Sequence, residues 1–230
     1  MTLVPVATLR LTSRTSLVIS RGSVLDFVSR CANTAIVNAA NEGCLGGGGV
    51  DGAVSKAGGN ALLEARMALP CLDQDHCVRC LTGDAKLSGP GKFGDIKTNH
   101  VIHAVGPYYS NFKLWEYEEA DALLQSAYSR ALAVAHDAQV KEVAFSLLSA
   151  GVYKGRRSLK QVLRLGVASI RSWANVHSET SVELIVLCAF LESEATALVE
   201  VAKELGLEFL SEDDGNLGTD NNLSDATLML

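Results

Sequence analysis

Short apolar runs alternate along this chain with longer stretches in which apolar residues recur every three or four positions. Thr15–Ser20, Thr34–Ala39, His100–Gly106, Glu142–Ser149 and Val182–Phe190 are short and rich in β-branched residues, which predicts strands. Several are apolar at consecutive positions, as strands covered on both faces are. Between them, Gly52–Ala68, Glu118–Ala138, Ser158–His177 and Glu192–Leu205 carry helical periodicity. In the second of these, Leu123, Leu124, Ala127, Tyr128, Ala131, Leu132 and Ala135 mark one face of a helix. Strands that alternate with helices imply an α/β fold with a largely parallel sheet covered on both sides.

The amino-terminal segment has two readings. "TLRLT" and "SLVIS" are β-branched and partly alternating, which predicts two starting strands. The same segment is rich in Arg, Ser and Thr and has no acid before Asp26, a composition shared with mitochondrial presequences. The strand reading is the preferred one, with a cytoplasmic or nuclear compartment expected. Residues 1–210 are expected to form one domain and 211–230 an acidic, mobile tail rich in Asn, Gly and Asp.

Composition narrows the function classes. A net charge of −6 leaves no basic excess to neutralise phosphates, which argues against a dedicated nucleic-acid binder. No apolar run approaches the roughly 20 residues of a membrane span, so no membrane partner is expected. Six scattered cysteines in 230 residues fit reduced thiols better than a disulfide framework. "CLDQDHCVRC" offers Cys71, His76, Cys77 and Cys80 as metal donors, but only Cys77 and Cys80 have the short zinc spacing and no second pair lies downstream. Packed thiols and no metal are the expectation.

Chemistry concentrates in "VNAANEGCLGGGGVDGAV", residues Val37–Val54, where a predicted strand ends in Asn38 and Asn41, crosses Gly46–Gly49 and meets Asp51. Tandem glycines mark backbone that bends unusually or approaches something closely. A second glycine-bearing loop, "SAGVYKGRRS" (Ser149–Ser158), also runs from strand to helix. Ligands of such folds collect beyond the carboxyl ends of the strands, and loop N–H groups beside helix N-termini suit a diphosphate. Gly47, Gly49 and Gly52 satisfy Gly-x-Gly-x-x-Gly. The loop is too long for a dinucleotide turn, however, and the expected acid at the end of a second strand is missing. A nicotinamide-dependent oxidoreductase therefore ranks last among the readings.

The segments "IVNAAN", "LGGGGVDGAV", "GDAKLSG…HVIHAVGP" and "LLSAGVYKG" together resemble the macrodomain family, in particular its MacroD-type ADP-ribosyl hydrolases. The resemblance spans roughly Ser16 to Leu210 and implies a three-layer α/β/α sandwich with a central mixed, largely parallel sheet. It also implies an ADP-ribose cleft. The diphosphate would lie between Gly46, Gly47, Gly48, Gly49 and Val50 on one side and Ser149, Ala150, Gly151, Val152 and Tyr153 on the other. Asn41 and Asp51 would serve the distal ribose as catalytic residues, with Asn38 supporting the loop or approaching the ribose. Tyr153 would pack beside that ribose, and Gly151 would leave room near the anomeric carbon.

The activity implied is hydrolysis of mono-ADP-ribose esters on Glu and Asp side chains, and of O-acetyl-ADP-ribose, by a water held at Asp51. The resemblance implies neither metal nor cofactor. The expected partners are ADP-ribose, mono-ADP-ribosylated proteins and O-acetyl-ADP-ribose, with the chain a monomer. A non-catalytic ADP-ribose reader is the alternative. Three positions depart from the family pattern. Ser55 stands where MacroD-type enzymes place a histidine, Ser23 stands where an acid meets the adenine amino group, and Lys154 replaces a glycine after Tyr153.

Overall fold

The computed structural model describes residues 2–73, 75 and 77–211. His76 of the thiol-rich segment and the proposed tail beyond Ser211 lie outside the described residues. The elements follow in the order β1 (Val4–Arg10), β2 (Ser16–Arg21), β3 (Thr34–Ala39), α1 (Gly49–Met67), β4 (Ala85–Ser88) and β5 (His100–Ala104). Then come α2 (Tyr117–Asp137), β6 (Glu142–Ser146), α3 (Leu159–Val176), β7 (Leu184–Ala189), α4 (Glu192–Glu204) and β8 (Glu208–Phe209).

The eight strands form one sheet in the order β4-β5-β3-β6-β7-β2-β1-β8. Its centre is parallel: β3 pairs with β5 and β6, β6 with β7, and β7 with β2. The edge strands β4 and β8, and β1 beside β8, pair antiparallel. The amino-terminal segment is therefore two paired strands, running from Val4 opposite Arg21 to Arg10 opposite Ser16 with a shift of register between Pro5 and Ala7.

The consecutive apolar residues of the central strands are explained by cover on both faces. Along β6, Val143 and Phe145 enter the core under α2, α3 and α4, and Ala144 enters the core under α1. Along β7, Ile185, Leu187 and Ala189 face the first core, and Val186 and Cys188 the second. On the larger side Tyr128 of α2 stacks on Phe145, ring centroids 5.6 Å apart. A Cβ on Gly166 of α3 would come within 2.7 Å of that Tyr128 ring, so the glycine sets how closely α3 approaches.

The elements differ from the sequence expectation in two ways. β4 and β8 were not expected: they are four and two residues long, too short for a period-2 pattern to show. The helix expected over Gly52–Ala68 is broken at Gly59, whose φ of 56° and ψ of −154° lie outside helical values. The chain folds back there, with consequences at the site.

Candidate functional site

All five parallel strands contribute to one cleft at their carboxyl ends. A cavity of about 370 Å³ is lined by the residues after β3, by the first turn of α1, by Gly106 after β5 and by Leu147 and Ser149–Tyr153 after β6. A second cavity, of about 440 Å³, adds Gly22 and Ser23 after β2 and Cys188 and Phe190 at the end of β7. Gly49, Val50, Leu147, Ala150 and Gly151 border both, so the two form a continuous trough across α1's amino end.

Most sequence-predicted residues meet in this trough. Asn41, Gly47, Gly48, Gly49, Val50 and Asp51 form one wall of the first cavity, and Ser149, Ala150, Gly151, Val152 and Tyr153 the other. Ser23 lies in the second cavity. Gly46 and Asn38 line neither. Asn38 is wholly buried at the end of β3 and donates from Nδ2 to Asp51 Oδ1 at 2.8 Å. Asn38 thus contacts the Asp51 carboxylate and lies outside both cavities.

The glycines divide the work between close approach and free space. A Cβ on Gly46 would fall 2.9 Å from Ser55 Oγ, and one on Gly52 would fall 2.8 Å from the Gly47 carbonyl oxygen. Gly47 is pressed against Asn41 and Asp51, while Gly48, Gly49 and Gly151 face open space. Asn41 shapes the same loop by donating from Nδ2 to the Gly46 carbonyl at 2.9 Å. The loop thus folds tightly on itself with its smooth side turned to the cavity.

The opposite wall is braced from behind. Ser149, at φ 54°, donates its hydroxyl to the Pro107 carbonyl at 2.8 Å. Tyr153 stacks on Tyr108 with ring centroids 4.9 Å apart and planes at 25°. Burial, then the charges of Asp51 and Glu42, push the Tyr153 hydroxyl's pKa up, so it stays protonated at neutral pH. Further along the same loop, Arg157 pairs with Asp121 and lies over the Tyr117 ring. Lys154 donates to the Gly155 carbonyl at 3.4 Å, and neither residue lines the trough.

Asp51 is the most constrained acid at the site. It is 3% exposed, yet one of its oxygens, Oδ2, is buried without a hydrogen-bond partner. Its other oxygen, Oδ1, accepts from Asn38 and from Arg66 Nη2, the latter at 3.0 Å. Arg66 is 1% exposed, and burial pulls its pKa down while the attraction of Asp51 opposes that pull. Ser55, one helical turn beyond Asp51, donates to the Asp51 carbonyl at 2.7 Å and accepts from Arg66 Nη1 at 2.7 Å. Behind Asn38 stands His103, wholly buried between Asn38 and Ser88. Burial and the Arg66 charge push its pKa down to about 3. It is neutral, as expected of a core histidine.

Sequence reasoning missed Arg66, Tyr108, Phe190 and Glu194. Phe190 and Glu194 follow β7 and were findable, since the carboxyl ends of parallel strands are where ligands collect. The buried thiols Cys44 and Cys80 pack together beneath the glycine loop with Ala40 and Val105. The Cys44 thiol donates to the Asn41 carbonyl and the Cys80 thiol to the Leu81 carbonyl. Cys71 and Cys77 are exposed, and among the described residues no three His, Cys, Asp or Glu side chains gather as metal ligands would. Nor is any helix among those residues long and apolar enough to cross a membrane.

Comparison with known proteins agrees with this architecture. The macro domain family matches residues 37–163. The chain is 39% identical over 158 residues to the macro domain-containing protein XCC3184 of Xanthomonas campestris, covering 69% of this chain and 81% of that one. It is 34% identical over 192 residues to the ADP-ribose glycohydrolase MACROD2 of Mus musculus, covering 83% of this chain and 36% of that longer protein. The Oceanobacillus iheyensis macrodomain solved with ADP superposes with a TM-score of 0.72 at 25% identity, over 89% of this chain and 98% of that one. With its mixed sheet, its glycine loop at the carboxyl end of β3 and these likenesses, the chain belongs to the macro domain family.

Proposed function

We propose that this chain binds ADP-ribose in the trough and hydrolyses its acyl esters, removing mono-ADP-ribose from Glu and Asp side chains of proteins and deacetylating O-acetyl-ADP-ribose. The observation that carries this reading is Asp51 Oδ2, a buried acceptor with no protein partner in a residue that lines the cavity beside Asn41. Buried polar atoms nearly always find a partner, and a water is the small donor that suits this one. The kinship with an ADP-ribose glycohydrolase supports the choice of ligand.

In this reading the adenine enters the wider cavity beside Phe190 and Ser23. The diphosphate meets the amino end of α1 and the backbone of Ala150–Tyr153, where N–H groups favour anions. The distal ribose lies between Asn41, Asp51 and Tyr153. Asp51 Oδ2 accepts a proton from the water as the water oxygen bonds to carbon at the ester. The scissile C–O bond breaks, its electron pair stays on the leaving oxygen, and the proton passes to the products. A free carboxylic acid and ADP-ribose result. Holding water and ester in attack geometry is the main contribution expected of the protein, with loop N–H groups stabilising developing negative charge.

The test is release of ADP-ribose from a protein carrying it on Glu or Asp, with Asp51→Asn beside the wild type. Asparagine is the milder control, because its amide oxygen still accepts from Arg66 and Asn38, whereas Asp51→Ala leaves both buried donors unpaired as well as removing the counter-charge, a loss that typically costs about 3–5 kcal/mol. Release that depends on Asp51 supports the hydrolase. Binding of ADP-ribose without release makes the chain a reader. One observation favours that second reading: the Ser55 hydroxyl is engaged with the Asp51 carbonyl and Arg66, so it has no proton to offer a water.

A further inference from the structure

We propose that Arg66 is the positioning residue for Asp51. It clamps Oδ1 so that Oδ2 alone is left to accept from the attacking water. This inference rests on the hydrolase reading above.

The contact depends on the break in α1. Asp51 and Arg66 are fifteen residues apart, which a straight helix would separate by about 22 Å, further than any side chain reaches. The break at Gly58-Gly59 turns the second half of the helix back along the first. Gly59 occupies a backbone region that is essentially restricted to glycine. A Cβ on Gly58 would come within 2.4 Å of the Leu62 side chain. Gly94, from the segment packed against the break, has no room for a Cβ beside the Ala57 carbonyl, which would lie at 2.1 Å. Three glycines thus permit one ion pair.

Stability alone gives little reason for such a pair. Both partners are almost fully removed from water, and the desolvation of a buried pair commonly offsets its attraction. What the pair achieves is orientation. Arg66 Nη2 and Asn38 Nδ2 both donate to Asp51 Oδ1. Arg66 Nη1 holds Ser55, which in turn holds the Asp51 backbone carbonyl. The carboxylate is fixed at one oxygen and at its own main chain, and its second oxygen is left without a partner.

The experiment compares wild type with Arg66→Met, Arg66→Lys, Asp51→Asn and the double variant Asp51→Asn/Arg66→Met. It uses single-turnover release from a mono-ADP-ribosylated protein, ADP-ribose affinity by calorimetry, and Tm. Arg66→Met is expected to slow release about 100-fold, the scale of a misplaced reacting group, while the ADP-ribose Kd changes by less than about threefold. Arg66→Lys should recover part of the rate. The double variant should be no slower than Asp51→Asn, because groups acting as one unit are non-additive. Multiplying losses, an unchanged rate in Arg66→Met, or rate and affinity falling together would each overturn the proposal. If Arg66→Met does not fold, Arg66→Lys carries the same comparison: a slower rate at unchanged Kd supports it, and an unchanged rate overturns it. A wild type that binds ADP-ribose but releases none removes the hydrolase reading, and this inference with it. That failure is recognisable before any variant is made.

Discussion

Asn38 Nδ2 donates to Asp51 Oδ1 at 2.8 Å, tying the penultimate residue of β3 to the first turn of α1. Asn38 is wholly buried and outside the cavity wall. Asn38→Ala should therefore slow ester hydrolysis about 10- to 100-fold by loosening Asp51 and leave ADP-ribose affinity nearly unchanged. Its stability cost should be about 1–3 kcal/mol, from the partners left unpaired. Calorimetric Kd beside turnover checks the split; parallel losses in both would place Asn38 against the ligand instead.

Neighbouring glycines of the loop should behave differently. A Cβ on Gly47 would sit 3.0 Å from Asn41 Nδ2 and 3.1 Å from Asp51 Oδ2, whereas one on Gly48 meets nothing within 4 Å. Gly47→Ala should displace those side chains, abolish measurable turnover and cost about 1–3 kcal/mol. Gly48→Ala should change stability by less than about 0.5 kcal/mol and weaken only ligand binding, since its methyl points into the cavity. Urea unfolding of both variants reads the difference.

Tyr108 lies behind the Tyr153 ring rather than in the cavity wall. Loss of the stack in Tyr108→Ala should weaken ADP-ribose binding by about 0.5–1.5 kcal/mol, and Tyr108→Phe should restore it. Tyr153→Phe should bind and react much as wild type does near neutral pH, because the hydroxyl, its pKa pushed up by burial and neighbouring charge, carries no titration there. A large loss in Tyr153→Phe would assign the hydroxyl a direct contact with the ribose.

His103 makes stability depend on pH. Its pKa falls from 6.5 in an unperturbed chain to about 3 in the fold. Between those values the unfolded chain holds a proton that the folded chain does not, so stability present above pH 6.5 is lost as the pH drops toward 3. The slope from this one group approaches about 1.4 kcal/mol per pH unit. Urea unfolding across that range should show a shallower decline in His103→Gln than in wild type. Equal slopes would show that His103 is not the group responsible.

The parallel core was legible because its strands are buried on both faces: runs such as Ala35–Val37 and Leu184–Phe190 stay apolar where a half-exposed strand would alternate. The edges were not, since β4 and β8 are too short to carry a pattern and exist by pairing with β5 and β1. Within the site, Asn41, the glycine loop and Asp51 were legible because a strand end, close-packed glycines and a helix start are consecutive in the chain. Tyr108 was not, because its partner Tyr153 lies on a different strand-to-helix connection.

The sequence by itself determined the alternation of strand and helix, and with it the sheet's parallel centre and the two glycine-bearing loops that face the cleft at its carboxyl ends. These follow from local periodicity and from glycine's backbone freedom, which a chain displays residue by residue. Tertiary structure alone decided that Arg66 would face Asp51, that Ser55 would link them, and that Asn38 would work from behind the wall. In sequence, Arg66 is an ordinary basic residue near a helix end, and Gly58-Gly59 a pair of weak helix formers. Only the fold-back at Gly59 brings two charges fifteen residues apart within 3.0 Å of each other and out of water, and that fold-back is set by packing against the segment around Gly94.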